Sequence, residues 1–499
     1  MLARNKGFPC IFIVRSTRPR RSAETFEVAY CGLERMLEIC YDEDYNLHEK
    51  EVGAYFMDNY VVKCLRNIDT EKMTEVAVPG SKSITNRALL LAAMADGTSS
   101  LHGCLTSDDA RHFLTCLKEL GFPVAEEADG VLGSNIKITG FGGKIPNKKA
   151  EIYVGSAGTA ARFLVAMLAF SEGEYIVRSS EQMKKRPMQP LISALRNAGA
   201  TVKCLEEEGH FPLHIIGTNG VAPTEMTVNI DESSQFLSAL LIAAGTLTED
   251  ICIHVVGSHG LSYVDLTAQM MKDFGVYADK REKDGQIFYI LSGKEKFHPL
   301  QYDIEPDMSA AAYFYALGAI AGAKIKVKGV HNKMLQGDVA FLHLLDKMGC
   351  SIEGLQASDK KELVLKGTDR LSGNFTVDMS AFSDQALTLA AIAPFADGPI
   401  TITGIGHIRL QECDRIHAIV HNLSALGLKV EEGEDFVTIF PGQMKGCELE
   451  TYEDHRVAMA FALTGLKTDG VVIKNPMCCK KTFAQYFDVL EDTVRQMKK

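Results

Sequence analysis

The chain has 499 residues, 46% apolar and 23% charged, with 53 Lys+Arg against 64 Asp+Glu. That length exceeds one hydrophobic core and predicts at least two domains, and the composition excludes a long disordered or collagen-like chain. A formal net charge of −11 argues against a general nucleic-acid binder, whose affinity comes from Lys and Arg neutralising phosphates. A basic pocket for a small anion is still allowed on an acidic protein.

The chain opens with Arg4, Lys6, Arg15, Arg18, Arg20 and Arg21 and no acid before Glu24. This reads as an upstream extension with no catalytic part, or as an organelle-targeting leader within residues 1–25. The apolar stretch Phe8 to Val14 is short and Arg15 follows it, which speaks against a secretory signal. Thirteen cysteines lie between Cys10 and Cys479 without a C-x-x-C pair. Reduced thiols in a cytoplasmic protein are the better reading, most of them small core hydrophobes. The uncharged, Ala-rich run Ser309 to Ala323 is too short to span a bilayer and reads as a buried helix.

Six segments share one pattern: an Ala/Leu-rich run, a break usually at Gly, then a short β-branched run. They start at Asn86, Gly158, Gln235, Ser309, Asp384 and Asp454, spaced 72, 77, 74, 75 and 70 residues apart. A second stretch with apolar residues every three or four positions follows, as in Leu266-TAQMMKDFGV, and reads as an amphipathic helix. The unit is therefore helix, strand, helix, strand, strand, repeated six times. Its first helix has almost no polar face and must be buried on several sides. Two globules of three units are preferred over a stacked solenoid.

Polar clusters open these helices, where backbone N–H groups and the helix dipole favour anions. Val78-PGSKSITNR supplies Lys82, Ser83 and Arg87. It is not a P-loop, because Ser81 rather than Gly precedes Lys82. Gly155-SAGTAAR lets backbone approach a ligand at Gly158. Lys184-KRPMQP carries Arg186, and Asp231-ESSQF gives Ser233, Ser234 and Gln235. Further on come Asp384, then Arg409-LQECDR with Gln411, Glu412 and Arg415, Thr451-YEDHR with Asp454 and Arg456, and Cys479-KKTF with Lys481. Singly, each suits a cap or a surface salt bridge. Together they place Arg or Lys at five equivalent starts. With no HExxH or Cys/His spacing, no metal is expected.

These motifs resemble the 5-enolpyruvylshikimate-3-phosphate synthase family over about residues 66 to 495. PGSKSITNRALLLAA, SDDARH, GSAGTAAR, MKKRPM, SSQFLSALL, LQGD, ECDRI, EDHRVAMA and KKTF follow the family's order. The resemblance implies an α/β fold: a two-domain inside-out α/β barrel, each domain of three βαβαββ repeats, with a cleft between them. The boundaries expected are 1–61 for the extension, 62–80 with 305–499 for one domain, and 81–304 for the other. It implies transfer of enolpyruvyl from phosphoenolpyruvate to the 5-hydroxyl of shikimate 3-phosphate, without cofactor, by a monomer with no nucleic-acid or membrane partner.

By the same resemblance, Lys82, Ser83, Arg87, Ser233, Ser234, Gln235, Tyr263, Asp384, His407 and Gln411 would hold shikimate 3-phosphate. Lys82, Gly158, Arg186, Gln235, Arg415, Arg456 and Lys481 would hold phosphoenolpyruvate. Asp384 would accept the hydroxyl proton and Glu412 would donate to the methylene carbon, with Lys82 beside both substrates. Gln411, His407, Gly260, Phe163 and Ser156 stand where the family commonly has Lys, Asn, Ser, Pro and Asn. The UDP-N-acetylglucosamine enolpyruvyl transferases share the repeat architecture, but carry a reactive Cys in the loop matching Lys184-KRPM, where this chain has none. A silent ligand-binding paralogue is the alternative of a different class.

Overall fold

The computed structural model describes Ile11–Arg15, Phe26–Tyr30 and residues 59–499 apart from positions 131 and 259. Ile11–Arg15 pairs antiparallel with Phe26–Tyr30, in a unit distinct from Met57–Lys499. The rest of the expected leader lies outside the described residues.

Among its described residues Met57–Lys499 contains six small sheets, five of four strands on one plan and a sixth of three. In the second unit Lys149–Tyr153 runs parallel to Glu174–Arg178 across the helix Gly158–Phe170. Leu213–Ile216 then pairs antiparallel with Glu174–Arg178, and Thr201–Cys204 forms the far edge. The third and fifth units repeat this order. A leading strand therefore precedes the helix–strand–helix–strand–strand pattern visible in the sequence.

Three units borrow a strand from elsewhere in the chain. Gln301–Asp303 lies parallel to Asp96–Leu105 and leads the first unit. Met73–Val76 lies parallel to Lys324–His331 and leads the fourth. Asn59–Val61, inside the span expected to be extension, pairs antiparallel with Val472–Lys474 in the sixth.

The first helix of each unit is buried nearly all round, as its composition requires. Gly158–Phe170 is buried at every position and Lys82–Met94 from Ile84 onward. Met308–Ala321 is buried from Met308 to Ile320 and ends at Gly322, whose φ of 68° suits a left-handed cap. One cluster of buried side chains runs from Ile84 to Ile304; the other combines Tyr60, Val62 and Val76 with residues from Met308 to Met497.

The chain passes between the clusters twice, and the two passages bond to each other. Ser81 N donates to Glu305 O at 2.8 Å and Asp307 N to Pro79 O at 2.8 Å. A Cβ on Gly80 would lie 2.0 Å from Gly103 O, so only glycine passes there. Asp307 caps its own helix through Ala310 N and also accepts from Lys82 N at 3.0 Å. Lys82 is thereby fixed where the clusters meet. Among the described residues no helix is long and apolar enough to cross a membrane.

The borrowed strand near Asn59 sets the limit of truncation. Tyr60 is buried, stacks 4.2 Å from Phe487 and donates to Glu491 Oε1 at 3.0 Å. A chain starting at Met57 should keep the full-length melting temperature. One starting at Val62 loses this aromatic anchor, worth about 3 kcal/mol or more, and calorimetry should show a fall of several degrees.

Candidate active site

Arg415 opens the helix Arg415–Ala425, which Asp414 caps by accepting from His417 N at 2.9 Å. Its side chain is 2% exposed and holds three carboxylates. Nε donates to Asp454 Oδ2 at 2.8 Å and Nη2 to Asp454 Oδ1 at 3.3 Å. Nη2 also reaches Glu412 Oε2 at 3.0 Å, and Nη1 reaches Asp384 Oδ1 at 3.2 Å and Gln411 Oε1. Burial alone would disfavour the charge; Asp454, Glu412 and Asp384 outweigh it and hold the guanidinium ionised.

Asp384 sits in the turn Ser383–Gln385 before the helix Ala386–Ile392. It accepts from Arg456 Nη2 at 2.8 Å and from Tyr263 OH at 3.3 Å. Glu412 is 9% exposed, with Lys481 Nζ at 3.5 Å and Arg186 Nη1 at 3.7 Å. Burial would raise both carboxyls. Instead Arg456, Arg415 and Lys82 hold Asp384 below the usual carboxylate range, and Lys481, Arg415, Arg186 and Lys82 hold Glu412 well below it. Burial pulls the Lys82 ammonium down, against the opposing pull of Asp109, whose carboxylate is 3.9 Å away.

The expected residues thus divide. Lys82, Arg186, Tyr263, Asp384, Gln411, Glu412, Arg415, Arg456 and Lys481 form one charged constellation. Ser83, Arg87, Ser233, Ser234 and Gln235 lie outside its ion pairs. The Arg87 guanidinium is buried and already committed to Thr267 Oγ1 at 2.7 Å, Ser83 O at 2.9 Å and Tyr263 O at 3.1 Å. Ser233 Oγ accepts from Gln235 N at 3.3 Å, while Ser234 makes no side-chain cap. Gly158 opens its helix beneath Arg186, where a Cβ would lie 2.5 Å from Nη1.

The departures from the family pattern have local causes. Gln411 accepts from Arg415, which a lysine could not do. His407 Nε2 meets Ser383 Oγ at 2.8 Å, beside Asp384. Gly260 has φ 63°, and a Cβ there would lie 2.7 Å from Ser234 Oγ, so a serine would be strained and crowded. Phe163 packs against the Arg87 guanidinium, 5.4 Å from ring centroid to Cζ. For Ser156 nothing in the structure explains the change.

Arg162 and Gln182 were not singled out in the sequence, and Ser262, Asp454 and Asp338 have partners that it did not show. Arg162, buried in the GTAAR helix, donates to Gln235 Oε1 at 2.7 Å and so orients it. Gln182 Nε2 reaches Glu412 O at 3.3 Å, and Ser262 Oγ donates to Ala381 O at 2.6 Å, joining the two clusters. Asp454 caps its helix through Arg456 N at 2.8 Å while receiving Arg415. Asp338, from the LQGD motif, is fully buried; Oδ1 accepts from Ser309 Oγ and Gln385 Nε2, and Oδ2 has no partner. The D in EDHR and LQGD was the available signal; its partners were not.

Burial first, and then Asp384, push the Asp338 carboxyl up to about 6 from an ordinary 3.8. The native state therefore binds this proton more tightly than the unfolded chain. The stability it contributes is complete below pH 3.8 and lost as pH rises through about 6. Asp338→Asn keeps an oxygen for Gln385 and Ser309 and carries no charge. Its melting temperature should exceed that of the parent chain above pH 7, with the advantage gone near pH 4.

The chain is similar to known proteins over most of its length. A family model, EPSP synthase (3-phosphoshikimate 1-carboxyvinyltransferase), matches residues 69–490. The 3-phosphoshikimate 1-carboxyvinyltransferase of Nostoc sp. is 42% identical over 413 residues, covering 83% of this chain and 94% of its own. That of Photobacterium profundum is 41% identical over 422 residues, covering 84% and 96%. A solved EPSP synthase from Acinetobacter baumannii shares the fold, with a TM-score of 0.70 at 23% identity over 87% of this chain and 97% of that one. With the family match spanning most of its length, this chain belongs to the EPSP synthase family.

Proposed function

We propose that this enzyme transfers the enolpyruvyl group of phosphoenolpyruvate to the 5-hydroxyl of shikimate 3-phosphate, releasing phosphate, as a step of the shikimate pathway. The observation that carries the reading is the convergence of Lys82, Arg186, Arg415, Arg456 and Lys481 on the ionised pair Asp384 and Glu412. Both substrates bring phosphate and carboxylate groups, which arginine forks and lysine point charges recognise. Arg186 Nε and Lys481 Nζ are buried without a hydrogen-bond partner, so both have N–H groups to offer an anion.

In this reading Arg186, Arg415, Arg456, Lys481, Gly158 and Gln235 take phosphoenolpyruvate. Ser83, Arg87, Ser233, Ser234, Gln235, Tyr263, His407 and Gln411 take shikimate 3-phosphate, and Lys82 serves both. Asp384 removes the hydroxyl proton as the oxygen attacks the enol carbon, while Glu412 protonates the methylene carbon. Loss of phosphate and of one methyl proton then restores the double bond. The cations stabilise charge on the tetrahedral intermediate and the departing phosphate. Residues 59–80 with 305–499 and residues 81–304 act as the two domains of a monomer, neither active alone.

Incubation with phosphoenolpyruvate and shikimate 3-phosphate should release phosphate, with turnover unchanged by EDTA. Release only with UDP-N-acetylglucosamine, or with neither acceptor, would overturn the reading. Glu412→Gln and Asp384→Ala should each lower kcat by about 10²-fold or more; near-normal turnover in either would refute its role.

Glu412 must carry a proton to donate one. An anion that draws Lys481, Arg186 and Arg415 toward itself weakens their hold on Glu412, and its pKa rises. Substrate binding should therefore take up a proton, and calorimetry in buffers of different ionisation enthalpy should detect it. The uptake should be absent in Glu412→Gln.

A further inference from the structure

The turn that delivers Lys481 to Glu412 contains two adjacent cysteines, both free thiols. It runs as a short 3₁₀ segment, Pro476–Lys481, after Asn475, whose φ is 44°. Cys478 is half-buried and Cys479 buried. Cys479 Sγ lies 3.9 Å from His455 O, at the helix start that carries Arg456. The Cys479 carbonyl accepts from Thr482 N at 3.0 Å and Phe483 N at 2.7 Å. These bonds hold the backbone on either side of Lys481.

We propose that Cys478 and Cys479 are a redox-reactive vicinal dithiol whose closure to a disulfide withdraws Lys481 from Glu412 and lowers affinity for phosphoenolpyruvate. This deepens the functional reading above and rests on its assignment of Lys481. The oxidant is hydrogen peroxide. The sulfur of Cys478, the less buried of the two, attacks the peroxide O–O bond, which breaks to leave a sulfenic acid and, with the thiol proton, water. The Cys479 sulfur then attacks the Cys478 sulfur; the S–O bond breaks and a second water leaves with the Cys479 proton. Two thiols lose two hydrogens and two electrons, and one peroxide becomes two waters.

Ring closure must move the turn. Neighbouring Cα atoms are about 3.8 Å apart, shorter than the ~4.4–6.8 Å that disulfides ordinarily span. The peptide between the cysteines has to rotate out of the 3₁₀ conformation, and the Cys479 carbonyl turns with it. A strained disulfide of this kind is easily reduced, which suits a reversible device rather than a structural bond.

The experiment treats the purified full chain with hydrogen peroxide, then follows free thiols, the mass of the Cys478–Cys479 peptide and the kinetics. The expected result is a peptide lighter by two hydrogens and a KM for phosphoenolpyruvate raised at least about tenfold, both reversed by dithiothreitol. Cys478→Ser should retain untreated activity and lose the reversible KM change. Cys479→Ala should behave the same, and the peptide mass of the parent chain decides the matter even if that buried substitution fails to fold. Two intact thiols after treatment, a disulfide with unchanged KM, or the same KM change in Cys478→Ser would each overturn the proposal. A chain inactive before oxidation would overturn the functional reading instead, while thiol count and mass still decide whether the disulfide forms.

Discussion

The site is organised around one buried guanidinium that answers to three carboxylates contributed by different stretches of chain. Arg415 binds Glu412 from the preceding turn, Asp384 from the fifth unit and Asp454 from the sixth. Asp454 is fully buried, Glu412 nearly so and Asp384 partly, and an enclosed charge without a partner is strongly destabilising. Removing Arg415 would strand Asp454 and leave Asp384 to Arg456 and Glu412 to Lys481 and Arg186. Its geometry also fixes the spacing between the proposed base and acid, since Nη1 holds Asp384 and Nη2 holds Glu412. Gln411, whose amide oxygen accepts from the same Nη1, turns an apparent loss of charge into an additional clamp on that guanidinium.

The network could not be assembled within one unit. Lys82 reaches it because two passages of chain are bonded side by side, with Asp307 accepting from the Lys82 backbone. Arg186 reaches it from the second unit, where glycine at position 158 leaves room for the guanidinium. The strands that complete the first, fourth and sixth sheets come from the ends of the segments that make these passages. Sheet completion and site assembly therefore depend on the same crossings.

This explains what the sequence disclosed. Helices with no polar face announce themselves by composition, and five of the six begin within two residues of the predicted start; Asn86 falls four residues inside a helix that Lys82 opens. The borrowed strands Met73–Val76, Gln301–Asp303 and Asn59–Val61 are three or four residues long. Such runs carry too little pattern to be told from loop, and their partners are far away in sequence. The charged residues of the site were legible as motifs, but their contacts were not. Asp454 read as a helix cap, which it is, and the same carboxylate also anchors Arg415. Arg87 read as a ligand group, and nothing in the sequence signalled that its guanidinium is also held by Thr267 Oγ1 and Tyr263 O.

The balance of charge within the constellation ties architecture to chemistry. Lys82, Arg186, Arg415, Arg456 and Lys481 face Asp384, Glu412 and Asp454, an excess of cations in a place where burial penalises charge. Asp454 is spent on holding Arg415 and a helix end. Asp384 and Glu412 are left to neutralise the remaining cations, and those cations keep both acids ionised. An anionic substrate offers the cations better-matched partners, and each one it takes loosens their grip on a carboxylate. In the proposed mechanism the residues that recognise the substrate's charge are thus the ones that set the proton affinity of Asp384 and Glu412, which couples binding to acid–base readiness without a separate switch.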